Sequence, residues 1–213
     1  KYKIPTGFDF YNITGINVFY LIEQTGLGVY YEAYNELFKP RNPLYNTVNN
    51  TVLTYYNLYN VTSRPTNSYN SVNYAAIPHS EKHRKTFKPQ NDYFVEFDFD
   101  GYHLRLLCEQ INHPLTNESA HKQLAKLYFG KEEITDDEYS KAKQINFQAI
   151  YGKIPEEHAS LDVFVKINKF IQDLWKEFEK KGEIKAPISE KPFTTKLKDM
   201  HPQKLMKYVM QSL

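Results

Sequence analysis

Hydrophobic positions in the second half of the chain recur at helical spacing. Leu161, Phe164, Ile167, Ile171, Leu174, Trp175 and Phe178 form one stripe through HASLDVFVKINKFIQDLWKEFEKKG (158–182). That stripe predicts the strongest helix in the sequence, with a core-facing side, lysines in the last turn and Gly182 placed to end it. A second helix is announced at TDDEYSKAKQINFQAIYG (135–152), where Thr135 and Glu138 make a capping box. Within it Lys143, Phe147 and Tyr151 fall at i, i+4 and i+8, along one side. NESAHKQLAKLYFG (117–130) reads as a further helix with His121, Ala125 and Tyr128 on one side. HPQKLMKYVMQSL (201–213) reads as a last one, and GEIKAPIS (182–189) as a strand running into a loop.

The first half is less regular. VFYLIEQ (18–24) suits a strand or a short helix, TGLG (25–28) a turn, and VYYEAYNELF (29–38) a helix, before KPRNP (39–43) breaks the pattern. TVLTYYNLYNVTS (51–63) is β-branched and aromatic, which predicts a long strand or a strand after a short helix. An extended loop follows, ending at Ile77-Pro78. In DYFVEFDFDGYHLRLLCEQI (92–111), Tyr93, Val95 and Phe97 alternate with Phe94, Glu96 and Asp98, predicting a strand; after Gly101 the spacing becomes helical. Asp98 is thereby expected at the tip of a hydrophobic strand, with Glu96 and Asp100 on its face.

Size and composition narrow the class. With 213 residues, 41% apolar and 24% charged, the chain has room for a hydrophobic core and is not of disordered composition. No apolar run approaches a bilayer span, and KYKIPTGFDF lacks the apolar centre of a secretory signal. The one cysteine, Cys108, lies in the apolar run LRLLCEQI, reads as a buried small hydrophobe and suits a reducing, cytoplasmic setting. Net charge is only +2, too small to argue for nucleic acid, but EKHRKTFK (81–88) gathers Lys82, Arg84, Lys85 and Lys88. That cluster is either a phosphate-facing patch or a solvated turn.

Two constellations carry candidate chemistry. A cation, a ring and a phenol in a row on one helix suit a ligand with phosphate at one end and a flat base and sugar at the other. The same stripe, with Ile150, also suits plain packing. A carboxylate at a strand end beside a tight turn, as at Asp98, suits Mg²⁺, which takes carboxylate oxygens at fixed geometry and keeps places for water and phosphate. It also suits a solvated edge.

Five segments in order resemble the family A (polymerase I-like) DNA polymerases, over about residues 51–213. DFDGYHLRLL (98–107) resembles motif A, and KAKQINFQAIYG (141–152) resembles motif B. His121, ahead of Phe129-Gly130, matches a His and Phe-Gly of the fingers. TSRPTN (62–67) with AAIP (75–78) resembles a minor-groove segment, and RKTF (84–87) the basic stretch before motif A. The resemblance implies an α+β fold: a partial palm of antiparallel sheet and helices carrying a mainly helical fingers subdomain. It implies a segmentation into 1–50 (thumb- or palm-proximal), 51–111 (palm with motif A), 112–182 (fingers with motif B) and 183–213 (return to the palm).

It further implies DNA-directed DNA synthesis from dNTPs on a primer–template with two Mg²⁺ ions. Asp98 and the backbone carbonyl of Phe99 would bind metal. Lys143 and His121 would hold the triphosphate, Phe147 would stack near base and sugar, and Tyr151 would test the nascent pair. His103 would close over the sugar, and Arg64, Arg84 and Gln211 would meet DNA.

Departures from the family pattern bear on activity. His103 replaces a Glu, Tyr139 stands where an Arg serves the phosphates, and Gln148 replaces a Gly. Motif C, which supplies the second catalytic Asp, is not found before Leu213, nor are exonuclease motifs or most of a thumb. The chain alone is therefore expected to be inactive, completed by further sequence or a second chain, in a divergent and phage-like polymerase. Two alternatives are a phage-type single-subunit RNA polymerase and a non-catalytic nucleic-acid-binding module.

Overall fold

A computed structural model describes residues 10–38, 48–60, 64–69, 71–187, 192–194 and 200–212. The KPRNP break lies outside the described residues. The chain divides into two compact units, Lys1–Phe97 and Asp98–Leu213.

In the first unit VFYLIEQ is helical: α1 spans Ile16–Thr25 after a π-helical turn at Phe10–Gly15. The TGLG segment goes directly into a strand, β1 (Leu27–Val29), and α2 (Tyr31–Phe38) follows. β1 is the middle of a three-stranded antiparallel sheet, flanked by β2 (Thr51–Val52) and, later in the chain, by Phe87–Lys88. Its registers place Leu27 opposite Val52 and Val29 opposite Phe87. Val29, Tyr34, Val52 and Val72 are the buried residues of this unit's core.

The long strand expected over 51–63 is broken. Only Thr51–Val52 and β3 (Tyr56–Asn57) are strand, the latter paired with β4 (Thr66–Asn67); residues 61–63 are not among those described. The break has a side-chain cause. Thr54 is buried and donates to the Val72 carbonyl at 2.5 Å, while Asn67 Nδ2 donates to Thr54 Oγ1 at 2.6 Å. Polar side chains there take the partners that a continuous ladder would need. A short helix α3 (Glu81–Arg84) and β5 (Phe87–Lys88) complete the unit.

The second unit is helical and matches the sequence closely. α4 spans Tyr102–Gln110, α5 Ala120–Phe129, α6 Asp136–Ile150 and α7 Asp162–Lys181. The hairpin β6 (Glu183–Lys185) and β7 (Pro192–Thr194) and then α8 (Pro202–Gln211) follow. The α+β class expected from the sequence is what the chain adopts. Two of the starts have a side-chain cap. At α6 the capping box is complete: Glu138 N–H donates to Thr135 Oγ1, and Thr135 N–H donates to Glu138 Oε2 at 3.0 Å. Lys131, 2.6 Å from the Glu138 carboxylate, holds that carboxyl down to about 2. At α8 the His201 imidazole accepts from Lys204 N–H, with Pro202 in the first turn. α7 ends at Gly182 in the left-handed conformation, as its sequence predicts.

The core gathers where these helices cross. Leu104 and Leu107 of α4, Leu124 of α5, Ile150 of α6, Phe164 and Ile167 of α7, and Met206 of α8 are all buried in one cluster. Cys108 belongs to it, and burial pushes its thiol up to about 12, so it behaves as a hydrophobe. A second cluster joins Phe178 and Ile184 to Leu205 and Val209.

The alternating segment before Asp98 is the main departure. Residues 93–98 form no strand; Tyr93, Val95 and Phe97 are exposed, Phe97 by 92%. An alternating pattern becomes a strand only when neighbouring backbone takes up its N–H and C=O groups, and no described strand pairs with this one. Asp98 therefore lies at the end of an extended exposed segment, not at a strand tip, and Glu96, Asp98 and Asp100 do not share a strand face.

Gly152, directly after α6, has φ +83°, and a Cβ there would lie 3.0 Å from the Gln203 Cα of α8. Gly152→Ala should therefore cost at least about 1–2 kcal/mol through the left-handed backbone alone. A fall in the urea unfolding midpoint of the chain measures it; an unchanged midpoint would contradict the close approach of α8.

Candidate active site

The site is built around the pairing of α5 with α6. Its first fixed point is the turn between Asp98 and Tyr102. Gly101 takes φ +58° there, and a Cβ would meet Ala120 Cβ at 3.2 Å and His121 Nε2 at 3.7 Å. Asp100 locks that turn to the start of α5. One of its oxygens accepts from Ala120 N–H at 2.9 Å, the other from Ser119 Oγ at 3.3 Å, and Arg105 of α4 pairs with it at 2.9 Å. Arg105 also donates to the Thr116 and Glu118 carbonyls, at 2.8 and 2.7 Å. Burial pushes the Asp100 carboxyl up, but the Ala120 N–H, the Arg105 guanidinium and the Ser119 hydroxyl outweigh it and hold the carboxyl below its ordinary range. Sequence reasoning placed Asp100 beside Asp98 as a further acid. Its role here is structural, and the Leu-Arg ending of the motif supplies its partner.

Asp98 is free of that network. It is exposed, and its Oδ1 accepts from Phe99 N–H at 2.8 Å. Among the described residues no group of three or more His, Cys, Asp or Glu could hold a metal ion. Tyr102 and His103 follow on α4, their rings 5.3 Å apart, with Phe99 5.4 Å from Tyr102.

On α6 the two readings of the stripe separate. Ala142, Asn146, Ala149 and Ile150 are the buried positions. Lys143 is exposed, Phe147 is 61% exposed, and Tyr151 is half-buried with its ring edge-on to Phe147 at 5.0 Å. Phe147 is thus not a core residue; the packing alternative holds for Ile150 and in part for Tyr151. Lys143 Nζ lies 5.0 Å over the Tyr139 ring, a cation–π contact one turn earlier. Tyr139, the residue in the arginine-like position, also meets His121 edge-on at 6.3 Å and lies 3.4 Å from Ser119 Oγ.

His121 comes to the same place from α5. Its Nδ1 is 3.0 Å from Asn146 Nδ2, and Asn146 Oδ1 accepts from the Tyr128 hydroxyl. Burial, then the Lys143 charge, lowers the His121 pKa from its ordinary 6.5, against a smaller opposing effect of Asp100. At neutral pH the imidazole is therefore uncharged. His121, Lys143 and Tyr139 converge, with Phe147 one turn further on; this is a cationic and hydrogen-bonding head beside an exposed ring. Asn146 and Tyr128, which hold His121, were not singled out as functional from sequence. The Asn of the Asn-Phe pair was the available signal, on the buried side of an otherwise exposed stripe.

Three further residues were predicted to meet DNA. Gln211 is half-buried at the end of α8. Arg64 and Arg84 belong to the first unit and are exposed; Asn60 donates to the Arg64 carbonyl at 2.6 Å, and Arg84 Nη2 is 2.8 Å from His79 Nδ1. The other cations around Arg84 are paired locally, Lys82 with Glu36 and Lys85 with Glu81.

Comparison with known proteins gives one similarity in sequence and one in fold. Over 80 residues the chain is 38% identical to DNA polymerase I of Synechocystis sp., a match over 34% of this chain and 8% of that protein. In three dimensions it is similar to the polymerase domain of Pol1 from M. smegmatis, a structure solved with DNA primer–template and dNTP. The TM-score is 0.58 and the identity 16%, over 78% of this chain and 35% of that one.

The chain shares its fold with part of a polymerase domain. It spans 35% of the polymerase domain it resembles and 8% of the curated relative. No family model matches it. Among the described residues no helix is long and apolar enough to cross a membrane.

Titration checks the electrostatics of the site. The His121 midpoint should fall below 6.5 in an NMR pH series and rise in Lys143→Ala, since Lys143 depresses it. Because the folded pKa is depressed, the unfolded chain binds the proton more readily. The stability this histidine contributes should be present above pH 6.5 and be lost as pH falls through the folded midpoint. A midpoint above 6.5 would contradict the geometry.

Proposed function

We propose that this chain forms the fingers and part of the palm of a DNA-directed DNA polymerase, divergent and phage-like, adding nucleotides from dNTPs to a primer 3′-hydroxyl. The observation that carries the reading is the convergence of His121 and Lys143 at Tyr139, with Phe147 exposed one turn along α6. In the segmentation that goes with it, residues 51–111 are palm, 112–182 fingers and 183–213 a return to the palm.

The chemistry follows from the side chains. Phosphoryl transfer depends on positioning and charge neutralisation more than on covalent help from the protein. Lys143 supplies a mobile point charge for the triphosphate, and His121 supplies a neutral N–H donor beside it. Phe147 offers a face for base and sugar, and Tyr151 backs it at the end of α6. His103 limits the space over the sugar, and its size serves that purpose while its hydrogen bonding differs from a carboxylate's. Arg64, Arg84 and Gln211 are the residues assigned to DNA.

Donor chemistry supports one metal position. Asp98, an exposed carboxylate whose Oδ1 accepts from the next N–H, fits one metal-ligand position, with the Phe99 carbonyl beside it. Asp100 does not fit, since its oxygens are taken by α5 and Arg105. Mg²⁺ bound there would neutralise charge on the phosphates. In this reading the second carboxylate of a two-metal site is supplied by further sequence or by another chain.

Two measurements test this reading. Lys143→Ala should weaken Mg²⁺–dNTP binding, followed calorimetrically, by about ten- to a hundredfold, the worth of one charged hydrogen bond. Unchanged binding would remove its role. With the segment supplying the second carboxylate present, Asp98→Ala should abolish primer extension and leave primer–template binding nearly intact. Retained extension would remove the metal role, and efficient rNTP use with dNTP rejection would favour an RNA polymerase instead.

A further inference from the structure

The polar side chain that the core encloses most completely beside the site is Asn146, 1% exposed on the inner side of α6. It links two groups on α5. On one side the Tyr128 hydroxyl meets Oδ1; on the other Nδ2 meets His121 Nδ1 at 3.0 Å. Tyr128 itself cannot turn away. Its ring is stacked on Phe164 at 5.3 Å and on His158 at 5.4 Å. Burial also raises its pKa well above the ordinary phenol value, so the hydroxyl keeps its proton and serves as a donor.

These contacts have a direction. An amide oxygen only accepts, so a Tyr128 hydroxyl that donates to Oδ1 turns the amide nitrogen toward the imidazole. That nitrogen only donates, so His121 Nδ1 must accept and be unprotonated. The proton of the neutral ring is then on Nε2, the atom beside the Gly101 turn, where the absent side chain leaves room.

We propose that Asn146, oriented by Tyr128, is a positioning residue that fixes His121 as its Nε2–H tautomer and presents that donor to the nucleotide phosphates. The proposal rests on the triphosphate reading above for its ligand, but the tautomer exists without one. The groups facing the imidazole are Asn146, Tyr139 and Lys143 of α6 and Asp100 of the turn. The arrangement gives the site one permanent cation, Lys143, and one neutral donor of set direction.

Nitrogen-15 NMR of histidine-labelled chain at neutral pH, without nucleotide, tests this directly. The wild type should show His121 Nδ1 unprotonated and Nε2 protonated. Asn146→Asp, which has the same shape but only accepts, should move the proton to Nδ1. Tyr128→Phe, a milder change that keeps the stacked ring, should give a mixture of tautomers and weaken Mg²⁺–dNTP binding about two- to tenfold, the worth of one neutral hydrogen bond. An Nδ1–H ring in the wild type would overturn the proposal, as would a tautomer indifferent to both substitutions. An Nε2 signal that responds to Asn146 but not to added Mg²⁺–dNTP would support the positioning and overturn the phosphate reading.

Discussion

One carboxylate holds the geometry of this site together. Asp100 ties the turn that carries Asp98 to the first N–H and the Ser119 hydroxyl at the start of the helix that carries His121, and Arg105 fixes it from a third element. The residue proposed for metal and a residue proposed for phosphate thereby stand in a set relation to each other. An acid at a helix start satisfies N–H groups that have no partner inside the helix and lies at the favourable end of its dipole. The pairing with Arg105 is partly exposed and contributes little by itself. Its value is in the number of elements it joins.

From that joint the arrangement spreads through packing. α5 and α6 lie side by side over a core shared with α4, α7 and α8. The buried face of α6 is made of small or aliphatic residues and one asparagine, which turns Lys143 and Phe147 outward. A helix that buried its aromatic ring would have no face for a planar ligand. Gly152 lets α8 approach closely where α6 ends, so the base of the exposed stripe is closely packed.

Much of this was legible in the sequence, for physical reasons that differ by region. The helices of the second unit were readable because periodicity, capping box and terminal glycine all agreed, and local signals of that kind do not depend on distant partners. The stripe of α6 was visible, but its exposure was not, since burial depends on what the opposite face meets. Asp100 read as one more acid on the face of Asp98, because sequence shows charge and not hydrogen-bond partners. The segment at 93–98 misled for the opposite reason. Alternation reports a capacity to pair, and pairing requires a neighbouring strand. In the first unit the strand over 51–63 was cut short by Thr54 and Asn67, polar side chains whose contacts are long-range.

The central claim is that α5 and α6 together grip a nucleotide. Mapping the backbone and side-chain resonances of the chain during titration with Mg²⁺–dNTP tests it most directly. The account predicts perturbations concentrated at His121, Tyr139, Lys143 and Phe147, with α7 and the hairpin unaffected. A response confined to other elements, or none at millimolar nucleotide, would contradict it.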